Sequence, residues 1–304
     1  MVNKAKSFVM IDGVKLFFVA NDEELQQLKH RIEFTGNFSE TTGEIKNRFF
    51  AKNTSLTITI AGDRNVTIQG SLHKYYFNGD NSTDFTFSDL KSAINNLCNE
   101  LNIDANKIRI QRLEFGFNIR DSPINYDEIE DNLIGYKLQP FEPYKIDGKN
   151  FGYHCQLQRF EIKIYDKSIQ TGLGESVLRF EYKVFKMKHI EKIGIRFLSD
   201  LLNENKLKSL FKAFMKDFSN VKMDNNAEMD ELIDAEKIPY KEAVFYLKAR
   251  NPKYWTSIKK KYKSSTLTSH KRRFEKILKK YTTENYNSRI TSILNQKFQD
   301  LMLK

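Results

Sequence analysis

The chain has 304 residues, 40% hydrophobic and 29% charged, enough for one large domain or two ordinary ones with a substantial core. No run approaches the roughly 18 apolar residues of a membrane span, and the first residues lack a secretory apolar stretch, so a cytoplasmic protein is expected. The two cysteines, Cys98 and Cys155, sit in apolar-patterned segments without metal-ligand spacing and read as reduced core residues. Charge is unevenly placed: Lys248 to Lys304 holds 16 Lys and Arg against three acids, a net of +13, whereas the whole chain is +11. A near-neutral body with a basic tail favours a polyanion partner, of which nucleic acid is the commonest, over a merely solubilising lysine-rich surface.

In chain order, Phe8–Val19 and Arg48–Ile60 read as strands. Asn21–Ile32 between them reads as a short helix capped by Asn21 or Asp22. Asn65–Tyr76 is another strand, with Thr67, Gln69, Ser71 and His73 on its polar face. Ser88 caps a helix carrying Leu90, Ile94, Leu97 and Leu101. Ile108–Ile119 alternates Leu113, Phe115, Phe117 and Ile119 against Arg112, Glu114, Gly116 and Asn118. Residues 120–150 hold three of the five prolines and read as a loop with a short helix around Tyr126–Ile134. Strand pattern resumes at Phe151, and the parity of apolar positions flips between Leu157 and Phe160, which places a bulge or tight turn at Gln158–Arg159.

Two runs then carry an unusual density of titratable groups. Arg159–Lys167 puts Phe160, Ile162 and Ile164 on one face and Glu161, Lys163 and Tyr165 on the other. Val177–Val184 opposes Leu178, Phe180, Tyr182 and Val184 to Arg179, Glu181 and Lys183. Gly172 and Gly174 between them suit a hairpin turn. Two helices follow, and Asp217–Glu236 reads as an acidic linker. From Ile238 the chain is helical, with three apolar stripes and basic outer faces, as in a helix-turn-helix DNA-binding unit.

The expected fold class is therefore α+β: a mostly antiparallel sheet with helices on one face, plus a C-terminal all-helical domain. The expected divisions are 1–218 for a catalytic domain, 219–237 for a linker and 238–304 for a basic helical DNA-binding domain. In the last, Lys259, Lys260, Lys261, Lys263, Lys271, Arg272 and Arg273 are the expected phosphate contacts.

If Glu114, Glu181 and Tyr165 share one depression, the two carboxylates form a hard-oxygen site suited to Mg²⁺ or Mn²⁺. His154 or His73 could complete it, although a lone His is more often structural. A divalent ion there would polarise a phosphodiester. Tyr165 would be the nucleophile and form a phosphotyrosine link, with Lys163, Lys167 and Arg179 favouring its ionisation and gripping the phosphate. The bland alternative is that Tyr165 is one of 14 tyrosines at a strand end.

Ile164-Tyr165-Asp166-Lys167, followed by Leu178-Arg179-Phe180-Glu181 and preceded by Arg112-Leu113-Glu114-Phe115-Gly116, resembles the rolling-circle replication initiators of plasmids and filamentous-type phages (the gene II/X-like and Rep_trans-type families). Gly70-Ser71-Leu72-His73-Lys74 and the block Asp84–Leu90 fit the same pattern, and the resemblance covers roughly residues 8–200. It implies a site-specific endonuclease that nicks one strand of an origin, stays on the 5′ phosphate through Tyr165 and leaves a 3′-OH. The implied partners are origin DNA, single-stranded or in cruciform or supercoiled form, and the host helicase and polymerase, with monomer and dimer both open. The metal-binding acids would be Glu114 and Glu181. Two departures stand out: Gln170 lies where such families often carry Glu, and no His-hydrophobic-His pair occurs, so the metal site should be carboxylate-rich. Other readings are a transposase or relaxase with the same chemistry, a non-catalytic origin-binding initiator or repressor, and an RNA-binding protein using the aromatic-rich sheet.

Overall fold

The alternating runs build one large antiparallel sheet. The computed structural model describes residues 11–302 apart from 39, 40, 44, 82, 84, 121, 123, 125, 138, 172–175, 224, 225 and 283–285. In chain order the strands are β1 (Ile11–Val19), β2 (Thr35–Phe38), β3 (Ile45–Asn53), β4 (Leu56–Ala61), β5 (Asn65–Ser71), β6 (Arg109–Arg120), β7 (Leu133–Tyr136), β8 (Glu142–Ile146), β9 (Lys149–Gln156), β10 (Phe160–Asp166), β11 (Val177–Val184) and β12 (Val221–Met223). Ten form a sheet in the order β2-β3-β4-β5-β1-β6-β11-β10-β9-β8, and β12 pairs separately with β7. The sequence places the polar strands at the centre of this order, where β1, β6, β11 and β10 lie side by side.

The helices are α1 (Asp22–Arg31), α2 (Leu72–Tyr76), α3 (Phe87–Leu101), α4 (Tyr126–Asn132), α5 (Lys167–Thr171), α6 (Glu204–Phe218), α7 (Asn226–Asp234), α8 (Tyr240–Ala249), α9 (Pro252–Lys261), α10 (Ser264–Tyr281) and α11 (Tyr286–Met302), with two 3-10 turns before α6. The apolar sheet face packs on α6, whose Phe214 meets Phe115 and Tyr182 with ring centroids 5.6 and 5.5 Å apart. Phe211 and Phe218 of the same helix contact Phe117 and Phe180 edge-on, the arrangement the ring quadrupoles favour. α3 adds Leu90, Ile94, Leu97 and Leu101 to this core. The α+β class expected from the patterning is the class observed.

Several boundaries differ from the sequence reading. Arg48–Ile60 is not one strand but the hairpin of β3 and β4, reversed at Thr54, whose φ is +50°. Asn65–Tyr76 breaks at Ser71, whose hydroxyl accepts from the Lys74 N–H and caps α2. The α3 cap is Thr86, in a reciprocal pairing with Asp89, rather than Ser88. The expected loop 120–150 contains β7 and the sheet's edge strand β8, where Pro143 interrupts a free edge. The expected linker 219–237 holds β12 and α7. The hairpin glycines Gly172 and Gly174 lie outside the described residues, as do Phe8 to Met10.

Two apolar cores are present among the described residues. The larger spans the sheet and also receives Ile290, Leu294 and Phe298 of α11, with Phe298 stacked on Phe211 at 4.0 Å. The smaller joins Ile134, Met229 and Ile238 to α8–α10 through Tyr246, Trp255, Phe274 and Ile277. The final helix thus returns to the sheet rather than staying with the three helices before it.

Candidate active site

The polar faces of β1, β6, β11 and β10 meet over one cavity of about 350 Å³, lined among others by Asp12, Glu114, Lys163, Tyr165, Glu181 and Lys183. Register explains the convergence. Lys163 stands opposite Glu181, Tyr165 opposite Arg179, and Lys183 between Glu161 and Glu114. Cross-strand neighbours on one face have Cβ atoms only about 5 Å apart, so each row delivers its charges to the same place.

Asp12 was not among the sequence candidates. By strict alternation it shares a face with Val14, Leu16 and Phe18. Between Ile11 and Val14, however, β1 holds one residue more than β6 does between Phe115 and Leu113. This bulge leaves Ile11 and Val14 in the core and turns Asp12 to the polar side. Gly13 at the same place allows the approach of Glu114: a Cβ on it would lie 3.1 Å from the Glu114 Cβ.

Arg179 is the hub. Fully enclosed, it donates from Nη2 to Asp12 Oδ2 at 2.7 Å, from Nε to Glu181 Oε2 at 3.1 Å and from Nη1 to Asn118 Oδ1 at 3.0 Å. Lys163 Nζ donates to Glu181 Oε1 at 2.8 Å, and Lys183 Nζ lies 2.7 Å from Glu114 Oε2. The Ser71 hydroxyl donates to Asp12. Tyr165 donates its phenolic proton to Glu181 Oε2 at 3.0 Å and is only 5% exposed.

Burial would raise the carboxyl groups of Asp12 and Glu181. In Asp12 the Arg179 guanidinium and the Ser71 hydrogen bond outweigh it, and in Glu181 the Lys163 and Arg179 charges do, so both titrate below their ordinary values. Glu114 goes the other way, pushed up to about 7 by burial and by the Glu181 charge despite Lys163 and Lys183. Burial drives the Tyr165 phenol well above its usual range, and Arg179 opposes this only in part.

The other candidates lie at the margin. His154 bonds Glu161 through Nδ1 at 2.7 Å and is not part of the Asp12, Glu114 and Glu181 cluster. His73 is not on a polar strand face: α2 turns it inward, where it stacks on Phe85 at 4.9 Å with neither ring nitrogen hydrogen-bonded. Burial pushes its pKa down to about 4 against the opposing pull of Asp12, so the ring is neutral. Lys167 opens α5 fully buried and donates to the Asn81 carbonyl. Burial and then Arg179 bring its pKa down to about 7. Arg179, expected to grip a phosphate, donates from Nε, Nη1 and Nη2 to protein partners.

Asp12, Glu114 and Glu181 each offer one oxygen within 4.8 Å of the other two. Three carboxylates without nitrogen or sulfur suit a hard divalent cation. The residues fit such an ion, which would compete with the Lys163 and Lys183 ammonium groups.

In the helical part, Lys259, Lys260, Lys261, Lys263, Arg272 and Arg273 are exposed. Lys271 lines a hollow with Trp255 and Tyr136. Arg273 folds back, its guanidinium 4.3 Å from the Phe245 ring centroid and bonded to the Lys241 carbonyl at 3.1 Å. No helix among the described residues is long and apolar enough to cross a membrane.

No protein-family model matches the chain, and no curated protein matches its sequence. Among solved structures it is similar to a rolling-circle replication initiator protein from Geobacillus stearothermophilus, with a TM-score of 0.40 and 11% identity over 64% of this chain and 78% of that one.

Proposed function

We propose that the chain is a rolling-circle replication initiator: a divalent-metal-dependent, site-specific single-strand DNA endonuclease in which Tyr165 is the nucleophile. What supports this reading is the convergence of one phenol, three carboxylates and the Lys163 ammonium on a single cavity, with the buried Arg179 bonded to Asp12 and Glu181. Such a set handles an anion that is attacked and expands in charge.

In this reading the Tyr165 oxygen attacks phosphorus and the P–O3′ bond breaks. The strand's 5′ phosphate is left on Tyr165, and the departing 3′ oxygen takes up a proton to become a 3′-OH. The hydrogen bond to Glu181 orients the phenol, with its proton directed to the carboxylate and a lone pair free to face the cavity. Arg179 holds Asp12 and Glu181 at fixed spacing. Bound at Asp12, Glu114 and Glu181, Mg²⁺ or Mn²⁺ would polarise the phosphodiester and offset charge on the expanded phosphate. The basic faces of α9 and α10 would hold duplex flanking DNA, with Lys259, Lys260, Lys261, Lys263 and Arg272 as phosphate contacts. The host helicase and polymerase would take up the exposed strand and the 3′-OH.

A second reading, a non-catalytic origin-binding protein, is favoured by the burial of Tyr165 and by the cation partner that each acid already has. Cleavage of supercoiled origin-bearing DNA separates the two. Nicking should require Mn²⁺ or Mg²⁺ and vanish with Tyr165→Phe while binding persists. If binding survives and no nick forms under any metal, the second reading holds.

A further inference from the structure

Tyr144 and Tyr165 both stand opposite Gly152, one on each side, in the cross-strand row β8-β9-β10. Gly152 has no side chain to separate them, and none would fit: a Cβ there would lie 2.3 Å from the Tyr165 Cβ. The Tyr144 ring leans across this gap. Its centroid is 5.5 Å from that of Tyr165 and 5.8 Å from that of His154, and the Lys163 ammonium lies 4.8 Å away.

These partners stand on β9 and β10 and steady the ring from the sheet side. It remains half-buried and forms part of the wall of the cavity that holds Glu114 and Lys183. Its neighbours Glu142, Pro143 and Lys145 are exposed, as befits an edge strand. An aromatic ring recruited for core packing usually has its hydroxyl satisfied, as Tyr165 has with Glu181 and Tyr153 with Glu130 at 2.6 Å. Among the described residues Tyr144 shows no such bond.

A steadied aromatic ring with a cationic neighbour at the mouth of a polar cavity is the kind of surface on which a nucleobase stacks. We propose that Tyr144 is a positioning residue: a base of the bound single strand stacks on it and so sets the adjoining phosphate over the Tyr165 hydroxyl. The proposal rests on the nicking reading above and deepens it. Lys15, Arg112 and Lys183, on the same cavity wall, supply positive charge for the flanking backbone. Stacking tolerates any base, so Tyr144 would add affinity and placement while sequence choice comes from elsewhere.

The test uses full-length protein in EDTA, so that nothing is cleaved, with oligo(dT) carrying 2-aminopurine at one interior position. Wild type and Tyr165→Phe should bind and quench the probe. Tyr144→Phe should do the same, because the ring is kept. Tyr144→Ala should abolish the quench and raise Kd by about 5- to 150-fold, the range expected for loss of one stacked base. Equal quenching by wild type and Tyr144→Ala overturns the stacking role alone. Loss of quench in Tyr144→Phe would assign the effect to the hydroxyl and equally overturn it. Failure of wild type to bind the oligonucleotide would overturn the stacking, whereas the nicking reading stands or falls separately on cleavage of origin-bearing DNA with Mn²⁺.

Discussion

Arg179 of β11 reaches Asp12 of β1 across 2.7 Å, past the whole width of β6, and neither group is open to bulk solvent. This contact closes the ring of charges under the cavity and ties the first strand of the chain to one of the last of the sheet. A buried charge keeps its partner only at the cost of dehydrating both, so the pair serves arrangement more than stability.

Removing one half of it should nevertheless be severe. Arg179→Met leaves Asp12 and Glu181 buried without their shared cation, a situation that typically costs about 3–5 kcal/mol. Urea denaturation should show a loss of that size. The double variant Arg179→Met, Asp12→Asn should recover part of it, and strict additivity of the two losses would show that the pair is not coupled.

Glu114 makes stability depend on pH in an unusual direction. Its folded pKa of about 7 lies above the ordinary 4.5, so between those values the folded chain holds a proton that the unfolded chain releases. Without metal, this residue's effect is absent below pH 4.5, and stability falls as pH rises towards 7. At one pKa unit per 1.36 kcal/mol the full loss above pH 7 is about 3 kcal/mol. Glu114→Gln should therefore be more stable than wild type at pH 8 in EDTA and close to it at pH 4, as read by denaturant midpoints. A divalent ion must displace the same proton, so Mn²⁺ affinity should climb up to about pH 7 and then level.

The basic surface of α9 and α10 should reveal itself through salt. Replacing Lys259, Lys260 and Lys261 together by Gln should lower the slope of log K against log salt for duplex binding by roughly 0.9 for every phosphate that these lysines neutralise. An unchanged slope would show that this run does not touch the backbone. Arg273 should matter little to that slope, since its guanidinium is turned onto Phe245.

Much of the sheet could be read from alternation, because β6, β10 and β11 each alternate an apolar face with a polar one, although the polar faces of β10 and β11 are buried as well. Glu114, Lys163, Tyr165 and Glu181 share a cavity because their parity and register agree. Asp12 escapes a sequence reading because a bulge breaks the parity on which such a reading depends. His73 is misplaced by it for a related reason: Ser71 ends β5 by capping α2, and beyond that point alternation no longer tells inside from outside. The β3–β4 hairpin is hidden because its reversal uses Thr54 and Ser55, with no glycine to mark it. That Arg179 would be enclosed could not be read locally, since its partners come from residues 12, 118 and 181.

The most direct measurement is mass spectrometry of the protein after incubation with Mn²⁺ and single-stranded DNA bearing its origin. The nicking account predicts a covalent nucleotide adduct on the peptide containing Tyr165, absent when EDTA is added and absent from Tyr165→Phe. Cleaved DNA with no adduct, or an adduct that persists in Tyr165→Phe, would contradict it.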